Sequence, residues 1–483
     1  MRCMARSLCT CMAGCLTFDR NPATTKENQS EMKKLFVVFT VITVIFNLSA
    51  GAQQVWTLEQ CVNHALTNNL QIKQQMLMVE SARADLLQSR LGLLPSLTGN
   101  ASHAYNFGQT IDRYTNDFAT ERVQSNNFYL QSGVTLFNGF QKLNGIKQSQ
   151  LNLMASQQDA DKYMNDMSIN IATFYLQVLF YKELVQIRTN QLDITSQQVE
   201  RMKKLVNAGT MAQGDSYTIE AQYAVEESSL IEAENNLELS LLTLGQLLDL
   251  PSSEGFDIEV PALSIEGDPR LVANPDQIFT YAQGHMPEIK AAEYRMQGSE
   301  KQLSMAKGAY YPSLALSGSW GTGYSGASKI LDSTDFTLKT KPWNDQIKDN
   351  NNQTIGLYLT VPIFNGWQSR TMVSKAKISL ESSRLDLELQ NQLLRKTIQQ
   401  AWADARASLK QYHATEKKVN ATRESFRYAE QKFEVGIMNS VDYNNAKKDL
   451  SNAESEQIQS KFDFIFKTTV LDFYMGKPLT LKK

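Results

Sequence analysis

The tripeptide Phe-Asn-Gly occurs twice in this 483-residue chain, at 137–139 and again 227 residues later at 364–366. Three further pairs of similar segments keep the same order along the chain: 65–73 with 282–290, 94–97 with 311–314, and 206–215 with 433–442. The first two of these pairs are offset by 217 residues and the last by 227, so the second half has gained ten residues before its Phe-Asn-Gly. Four matches in one order, at two consistent offsets, indicate an internal duplication.

Each half is predicted to contain a helix, a β-hairpin, a long helix, a tight turn and a further helix. The predicted divisions are a first repeat at 53–250 with a hairpin at 96–137 and a tip turn at 206–215, a linker at 251–273, a second repeat at 274–478 with a hairpin at 313–364 and a tip turn at 433–442, and a C-terminal tail at 479–483. The linker is assigned because it is rich in Pro, Gly and acidic residues.

The first 52 residues are predicted to be absent from the mature protein. A basic segment at 32–34, an apolar segment at 35–48 and the small residues Ala50-Gly51-Ala52 are the three parts of a secretory signal peptide. Cleavage would leave Gln53 at the mature N-terminus, and residues 1–31 would be an upstream extension. Within it, Met12–Cys15 resembles a lipoprotein cleavage site only weakly, since no apolar run precedes it.

This processing changes the charge and the cysteine content. It removes six of the 48 basic and three of the 50 acidic residues, which leaves a net charge of −5. A mildly acidic exported chain is not expected to bind nucleic acid. It also removes Cys3, Cys9, Cys11 and Cys15, so Cys61 remains as the single cysteine and no intrachain disulfide is expected.

No motif indicates catalysis or a bound cofactor. The four histidines, His64, His103, His285 and His413, lack the spacing of metal ligands. The sequence has neither a phosphate-binding loop nor a nucleophile elbow. We therefore predict that the chain is not an enzyme and needs no cofactor.

Apolar and polar residues alternate between each Pro-Ser-Leu and the next Phe-Asn-Gly. The alternation is regular over 128–136 and 355–363, is also present over 314–324, and is weakest over 97–107. These runs have about the 9–11 residues of a tilted transmembrane strand. Alternation suits a soluble hairpin equally well, but the signal peptide and the duplicated hairpins favour the membrane.

The predicted number of strands has a consequence for assembly. Four strands are too few to close a membrane barrel, which needs about eight, and open sheet edges are not tolerated in lipid. The chain is therefore expected to associate, since two copies would supply eight strands and three would supply twelve.

Apolar residues recur at every seventh position after each Phe-Asn-Gly. The first series is Ile171, Val178, Val185, Leu192, Val199 and Val206, and the second is Ile398, Ala405, Tyr412, Val419, Phe426 and Phe433. A sustained seven-residue repeat indicates a seam between supercoiled helices. A helix of about 65 residues would be roughly 90–100 Å long.

Residues at both ends of these helices match the changes of direction that the chain must make. Pro ends a helical pattern, Gly permits the turn from strand to helix, and Asn is expected to cap the new helix. The predicted helix–barrel transitions are Pro95, Asn138, Gly139, Pro312, Asn365 and Gly366. At the far ends, Gly209 and Gly436 should end the long helices, and Asp215 and Asp442 should favour the next helix N-terminus.

The ordered set of motifs resembles the TolC-like outer membrane efflux proteins over residues 55–478. The set comprises TLEQCVNHALTNN at 57–69 and the paired Pro-Ser-Leu, Phe-Asn-Gly and Gly-x5-Asp motifs. The resemblance implies an α+β membrane protein: a homotrimer with a 12-stranded barrel in outer membrane lipid, continued by a coiled-coil α-helical tunnel through the periplasm. It also implies a passive channel for efflux or type I secretion, working with a periplasmic adaptor and an inner-membrane pump of the RND or ABC type. The alternative from another class is an exported coiled-coil scaffold with soluble hairpins.

The resemblance also implies roles for residues at the helical tips. The adaptor-contacting residues would be Ala208, Gly209, Thr210, Met211, Val435, Gly436, Ile437 and Met438. The periplasmic gate would comprise Asp215, Asp442 and Asn445. Asn445 stands where a second gate acid often lies in the family, and Met438 where a basic partner can lie. Gating is therefore expected to depend on hydrogen bonds and an aspartate ring, and the simpler role for Asp442 is that of a residue at a helix N-terminus.

Overall fold

The computed structural model describes residues 55–119, 122–252, 255–261, 265, 274–333 and 336–479. The predicted signal peptide, the segment Met12–Cys15, most of the linker and residues 480–483 of the tail lie outside these ranges. Trp56–Ser253 and Ile258–Lys483 form one compact unit, and Val55 and the described residues 255–257 belong to a second.

The helices of the two repeats correspond in order and in length. The first repeat contains α1 (Leu58–Asn68), α2 (Leu70–Leu91), α3 (Gln141–Asn207) and α4 (Gln213–Leu247). The second contains α5 (Pro275–His285), α6 (Pro287–Gly308), α8 (Gln368–Glu434) and α9 (Ser440–Tyr474), and a short helix α7 (Trp343–Asp349) precedes α8. Both series have 11, 22, 67 and 35 residues, so the repeats share one architecture.

Local sequence accounts for the break between the first two helices of each repeat. The side chain of Asn69 accepts hydrogen bonds from the N–H groups of Gln71 and Ile72 and so caps α2. In the second repeat Pro287 begins α6, a position at which the missing N–H of proline costs nothing. Two different devices therefore produce the same break.

The two 67-residue helices, α3 and α8, are each about 100 Å long at 1.5 Å per residue. All twelve residues of the predicted seven-residue series are buried or half-buried, as expected of a packed seam. Helix α3 packs against α4 and α6, and α8 packs against α9 and α6. Within the described residues, no helix has an uncharged apolar stretch long enough to cross a bilayer.

Four strands form one antiparallel sheet in the order β10-β7-β5-β2. They are β2 (Ser96–Asn106), β5 (Val123–Asn138), β7 (Ser313–Ser325) and β10 (Asn352–Thr360). The prediction that the second hairpin continues to 364 is wrong, because β10 ends at Thr360. Pro362, just beyond this end, has no N–H group to donate to a neighbouring strand.

The two faces of this sheet differ in chemistry. One, the apolar face, carries side chains such as Leu97, Leu130, Trp320, Ile355 and Leu357. The other, the polar face, carries Ser, Thr, Asn, Gln, Gly, Ala, Val and Tyr, with no charged residue in the paired stretches of the four strands. In one chain the apolar face is largely uncovered on β10, where the side chains of Ile355 and Leu357 are 84% and 62% exposed.

The segments that join these strands contain short strands and a helix of their own. Small hairpins form from β3 (Thr110–Ile111) with β4 (Phe118–Ala119) and from β8 (Lys329–Leu331) with β9 (Leu338–Thr340). Helix α7 follows the second hairpin. A further two-stranded sheet pairs β1 (Val55–Trp56) with β6 (Asp257–Ile258).

The thiol of Cys61 should be unreactive in the folded protein. Its side chain is fully buried in α1, and burial raises the pKa of the thiol to about 12. At pH 8 only roughly one thiol in ten thousand would then be the reactive thiolate. We expect maleimide to label the chain that begins at Gln53 only after denaturation, as measured by intact-mass spectrometry. Stoichiometric labelling of the native protein at pH 8 would contradict this expectation.

Candidate functional site

Two helical hairpins end in turns with the same geometry. In the first, Thr210 N–H donates to Leu205 O at 3.0 Å and Gly209 N–H to Val206 O at 2.9 Å. The second repeats both bonds at Ile437 and Gly436, at 2.9 and 3.1 Å. This pattern is the Schellman motif, which requires a left-handed residue after the helix. Gly209 and Gly436 provide it with φ values of 74° and 76°.

The structure brings the two tips together. Ser440, the first residue of α9, donates its hydroxyl hydrogen bond to Oδ1 of Asp215 at 2.8 Å. Arg201 and Glu434 form an ion pair at 3.4 Å between α3 and α8, with both side chains more than half exposed. Such an exposed pair contributes about 0–1 kcal/mol, so it does not act as a tight lock.

Two of the predicted gate residues, Asp215 and Asp442, lie in the first turns of α4 and α9, and Asn445 lies in the second turn of α9. Asp215 and Asp442 are each the third residue of their helix, where a carboxylate complements the helix dipole. Asn439 caps α9 by accepting from Asp442 N–H at 2.8 Å, and its amide donates to the Asp442 carboxylate at 2.9 Å. The side chains of Asp442 and Asn445 are exposed, and that of Asp215 is half-buried.

A cleft of about 430 Å³ lies between the two hairpins just above their tips. It is lined by Gln198, Arg201, Met202, Leu205, Thr210, Met211, Glu430, Phe433, Glu434, Val435, Gly436 and Tyr443. Burial raises the pKa of Tyr443 to about 12, so its hydroxyl stays protonated and pairs with the amide of Gln198. Val435, at the edge of the cleft, and Ile437 are 68% and 76% exposed. The tips thus combine an apolar edge with a charged cleft.

A buried ion pair joins the hairpins further from the tips. Lys447 of α9 lies 3.3 Å from the carboxylate of Glu226 of α4, and the two side chains are only 4% and 10% exposed. Lys447 also donates to the hydroxyl of Thr195 of α3, which donates to Glu226. Gln222 Nε2 adds a hydrogen bond to Glu226 at 2.9 Å. Burial lowers the pKa of Lys447, and Glu226 opposes that shift.

Our reading of the sequence did not find this pair. The sequence does place Ser440, Tyr443, Lys447 and Ser451 on one helix face at spacings of three and four, and the structure buries all four. Nearby, Arg188 donates to the hydroxyls of Ser451 and Ser455 at 2.6 and 3.2 Å, which adds a further polar contact between α3 and α9.

At the opposite end, the predicted transition residues lie between helices and strands. Gly139 and Gly366 have φ values of 63° and 60°, and the next residues, Phe140 and Trp367, are also left-handed. Pro95 and Pro312 each come directly before a strand.

The expectation that both Asn residues cap the new helix is corrected by the structure. The cap positions are occupied by Phe140 and Trp367, which make no side-chain capping bond. Asn138 still accepts from Lys142 N–H at 3.3 Å, whereas Asn365 donates to the Ser369 hydroxyl at 2.6 Å. The two consecutive left-handed residues displace Asn from the cap position.

A profile of the family described as "Outer membrane efflux protein" matches residues 61–249 and 280–468, one match in each repeat. The chain belongs to the outer membrane efflux protein family. The two matches also confirm the predicted duplication and the resemblance found in the sequence.

Individual relatives agree with this assignment. The chain is 22% identical to outer membrane protein TolC of Vibrio cholerae over 92% of this chain and 96% of that protein. It is 22% identical to the proteases secretion protein PrtF of Dickeya chrysanthemi, over 87% and 89% of the two chains. The crystal structure of the outer membrane protein VceC of Vibrio cholerae superposes with a TM-score of 0.70 at 16% identity, over 87% of this chain and 96% of that one, which shows the fold.

Membership of the outer membrane efflux family confirms the predictions from sequence about location, fold class and the lack of enzymatic activity. The protein is an outer membrane channel protein of a mostly helical fold, extends into the periplasm, and is not an enzyme. The paired tips and the strand–helix junctions are therefore the candidate functional regions of this family member.

Proposed function

We propose that three copies of this chain form one 12-stranded barrel in the outer membrane, continued by a tunnel of the long helices. The observation that carries the proposal is the four-stranded sheet, which has an exposed apolar face. Within the described residues, its outer strands β2 and β10 each pair on one side only, so each offers a free edge to a neighbouring copy.

The mass of the detergent-extracted particle tests this assembly. The chain beginning at Gln53 would be expressed, extracted from outer membranes and measured by light scattering with correction for bound detergent. Three chains per particle are expected. A monomer that stays soluble without detergent would instead support the exported coiled-coil scaffold.

In this proposal the protein is a passive conduit in a tripartite efflux or type I secretion system. A periplasmic adaptor would hold the tips at Ala208–Met211 and Val435–Met438, and an inner-membrane pump of the RND or ABC type would supply energy. The exposed side chains of Val435 and Ile437 support such a contact, because apolar residues at a protruding end favour a protein partner. The family is described by efflux and the relative PrtF is named for protease secretion, which supports both kinds of system.

The gate is proposed at Asp215, Asp442 and Asn445, near the periplasmic ends of α4 and α9. Three copies would place a ring of Asp442 carboxylates at the entrance, and the Ser440–Asp215 hydrogen bond would hold the two hairpins together. Asn445 cannot add a second acidic ring, and Met438 cannot pair with the first. Hydrogen bonds and the single aspartate ring would therefore set the resting state.

Replacing Asp442 with alanine is expected to raise the passive conductance of the reconstituted protein and to lower its cation selectivity. The change removes a negative charge from the entrance and the Asn439–Asp442 hydrogen bond. Single-channel recording in planar bilayers would measure both quantities. Asp449→Ala is the matched control, because Asp449 is an exposed acid further along α9. Unchanged conductance and selectivity in Asp442→Ala would leave Asp442 only its role at the helix N-terminus.

A further inference from the structure

The two outer loops of this chain lie on opposite faces of the sheet. The first loop, residues 107–119, joins β2 to β5 and contacts the polar face. There Tyr114 donates its hydroxyl hydrogen bond to Asn127 Oδ1 at 2.6 Å, and Asn127 Nδ2 donates to Ser102 Oγ at 3.3 Å. Asn127 and Ser102 are register partners, so their side chains point to the same face.

The first loop can approach the sheet because Gly323, next to Tyr114, has no side chain. Gly323 is the register partner of Asn127 on β7 and shares the polar face. A Cβ atom on Gly323 would overlap the Tyr114 hydroxyl and the backbone oxygen of Asn126. The phenol ring therefore occupies a slot that only glycine leaves open, which fixes the position of the first loop above the polar face.

Asp112, two residues before Tyr114, also holds the first loop in place. Its side chain is 6% exposed and accepts hydrogen bonds from the N–H groups of Tyr114 and Thr115, both at 3.0 Å. The buried hydroxyl of Ser325, the last residue of β7, donates to the second carboxylate oxygen. Burial alone would raise the pKa of Asp112, but these hydrogen bonds lower it below the usual value, so the carboxylate stays charged.

The second loop, residues 326–351, lies against the apolar face. The ring of Trp343 at the start of α7 lies 5.1 Å from that of Tyr324 and 5.9 Å from that of Phe128. Thr322 donates its hydroxyl hydrogen bond to Ile347 O at 2.6 Å. Phe128, Thr322 and Tyr324 belong to the apolar face by register, so these contacts of the second loop lie on the face opposite to Tyr114. The second loop also bonds to the backbone of Ser325 through Gln346, at the strand end where Asp112 of the first loop binds the Ser325 hydroxyl.

We propose that the first loop is a fixed constriction at the outer exit of the channel, with Tyr114 as the residue that positions it. The inference rests on the proposed barrel, in which the polar face lines the lumen and the apolar face meets lipid. Three first loops would then lie across the mouth of the lumen, whereas the second loops would lie outside it. The first loop limits the size of the molecules that can pass the exit.

Size-dependent labelling from outside the cell tests this constriction without requiring the periplasmic gate to open. A cysteine would be placed on the polar face by Thr98→Cys in a Cys61→Ser background, in which the predicted mature chain has no other cysteine. Intact cells would be treated with a small membrane-impermeant thiol reagent or with a maleimide on a large polyethylene glycol. The small reagent should label readily, and the polymer should label slowly.

Releasing the first loop should change only the polymer reaction. Tyr114→Ala should accelerate labelling by the polymer several-fold and leave the small reagent unaffected, and replacement of residues 113–117 by two glycines should do the same. Tyr114→Phe keeps the ring in its slot and should behave like the parent. Trp343→Ala releases the second loop on the other face and is the matched control, with no change expected.

The results of these labelling experiments distinguish a failure of the proposed constriction from a failure of the proposed barrel. Equal polymer rates in the parent, in Tyr114→Ala and in the shortened loop would overturn the constriction while leaving the barrel intact. If the small reagent fails to label Thr98→Cys but labels Leu97→Cys in the same background, the polar face does not line the lumen. That result would overturn both the barrel orientation and the constriction.

Discussion

Lys447→Ala is expected to lower the local stability of the paired hairpins by about 3–5 kcal/mol, the usual effect of removing one partner from a buried ion pair. The substitution leaves the carboxylate of Glu226, now 10% exposed, without its cationic partner between α3, α4 and α9. Amide hydrogen exchange in the first half of α9 would measure the change, because exchange reports the free energy of local opening. We expect faster exchange there and little change in α1.

The matched control variant removes Lys461, which forms a more exposed ion pair between α9 and α3. Lys461 lies 3.2 Å from Glu183, but both side chains are substantially exposed, at 25% and 40%. Lys461→Ala should therefore cost about 0–1 kcal/mol. The double variant Lys447→Met/Glu226→Leu should recover much of the loss, because a buried pair can be replaced by apolar residues of similar volume. Equal effects of Lys447→Ala and Lys461→Ala would contradict the importance of burial.

Gly139→Ala is expected to destabilise the protein more than Gly366→Ala, although both glycines occupy equivalent junctions. Alanine in the left-handed conformation costs about 1–2 kcal/mol at either position. At Gly139 the added Cβ would also overlap the backbone oxygen of Gly308 at the end of α6. Within the described chain no atom lies within 4 Å of a Cβ on Gly366.

Thermal unfolding of the two variants in detergent, followed by circular dichroism, would test this difference. We expect Gly139→Ala to lose about 1–3 kcal/mol beyond the loss in Gly366→Ala, as is typical of overpacking between fixed backbones. A lower yield of folded protein would accompany the loss. Identical melting curves would show that the contact of Gly139 with Gly308 is easily relieved.

The repeated architecture was predictable because its determinants are local or periodic. The heptad series from Ile171 to Val206 identifies a seam without knowledge of the partner helix. Gly209 and Gly436 mark the tips because a Schellman turn needs a left-handed residue whatever surrounds it. Similarly, the alternation near Ile355 follows from the two-residue period of a strand.

The polar contacts that the sequence did not predict depend on residues far apart in sequence. Lys447 and Glu226 are separated by 221 residues, and Asp112 and Ser325 by 213. No local pattern says that a lysine in a helix will be buried opposite a glutamate, or that Gly323 will make room for a tyrosine. The cap positions were missed for a related reason, because the left-handed geometry of Phe140 and Trp367 is imposed by the junction and not by their own preference.

The uncharged polar face has a consequence for transport through the proposed barrel. Hydroxyl and amide groups exchange hydrogen bonds with a passing solute much as water does. A wall without charged side chains adds no Coulomb attraction or repulsion that would favour solutes of one sign. Cargo would therefore have a short dwell time along this stretch and move through it by diffusion, so that any discrimination must occur at the two ends of the conduit.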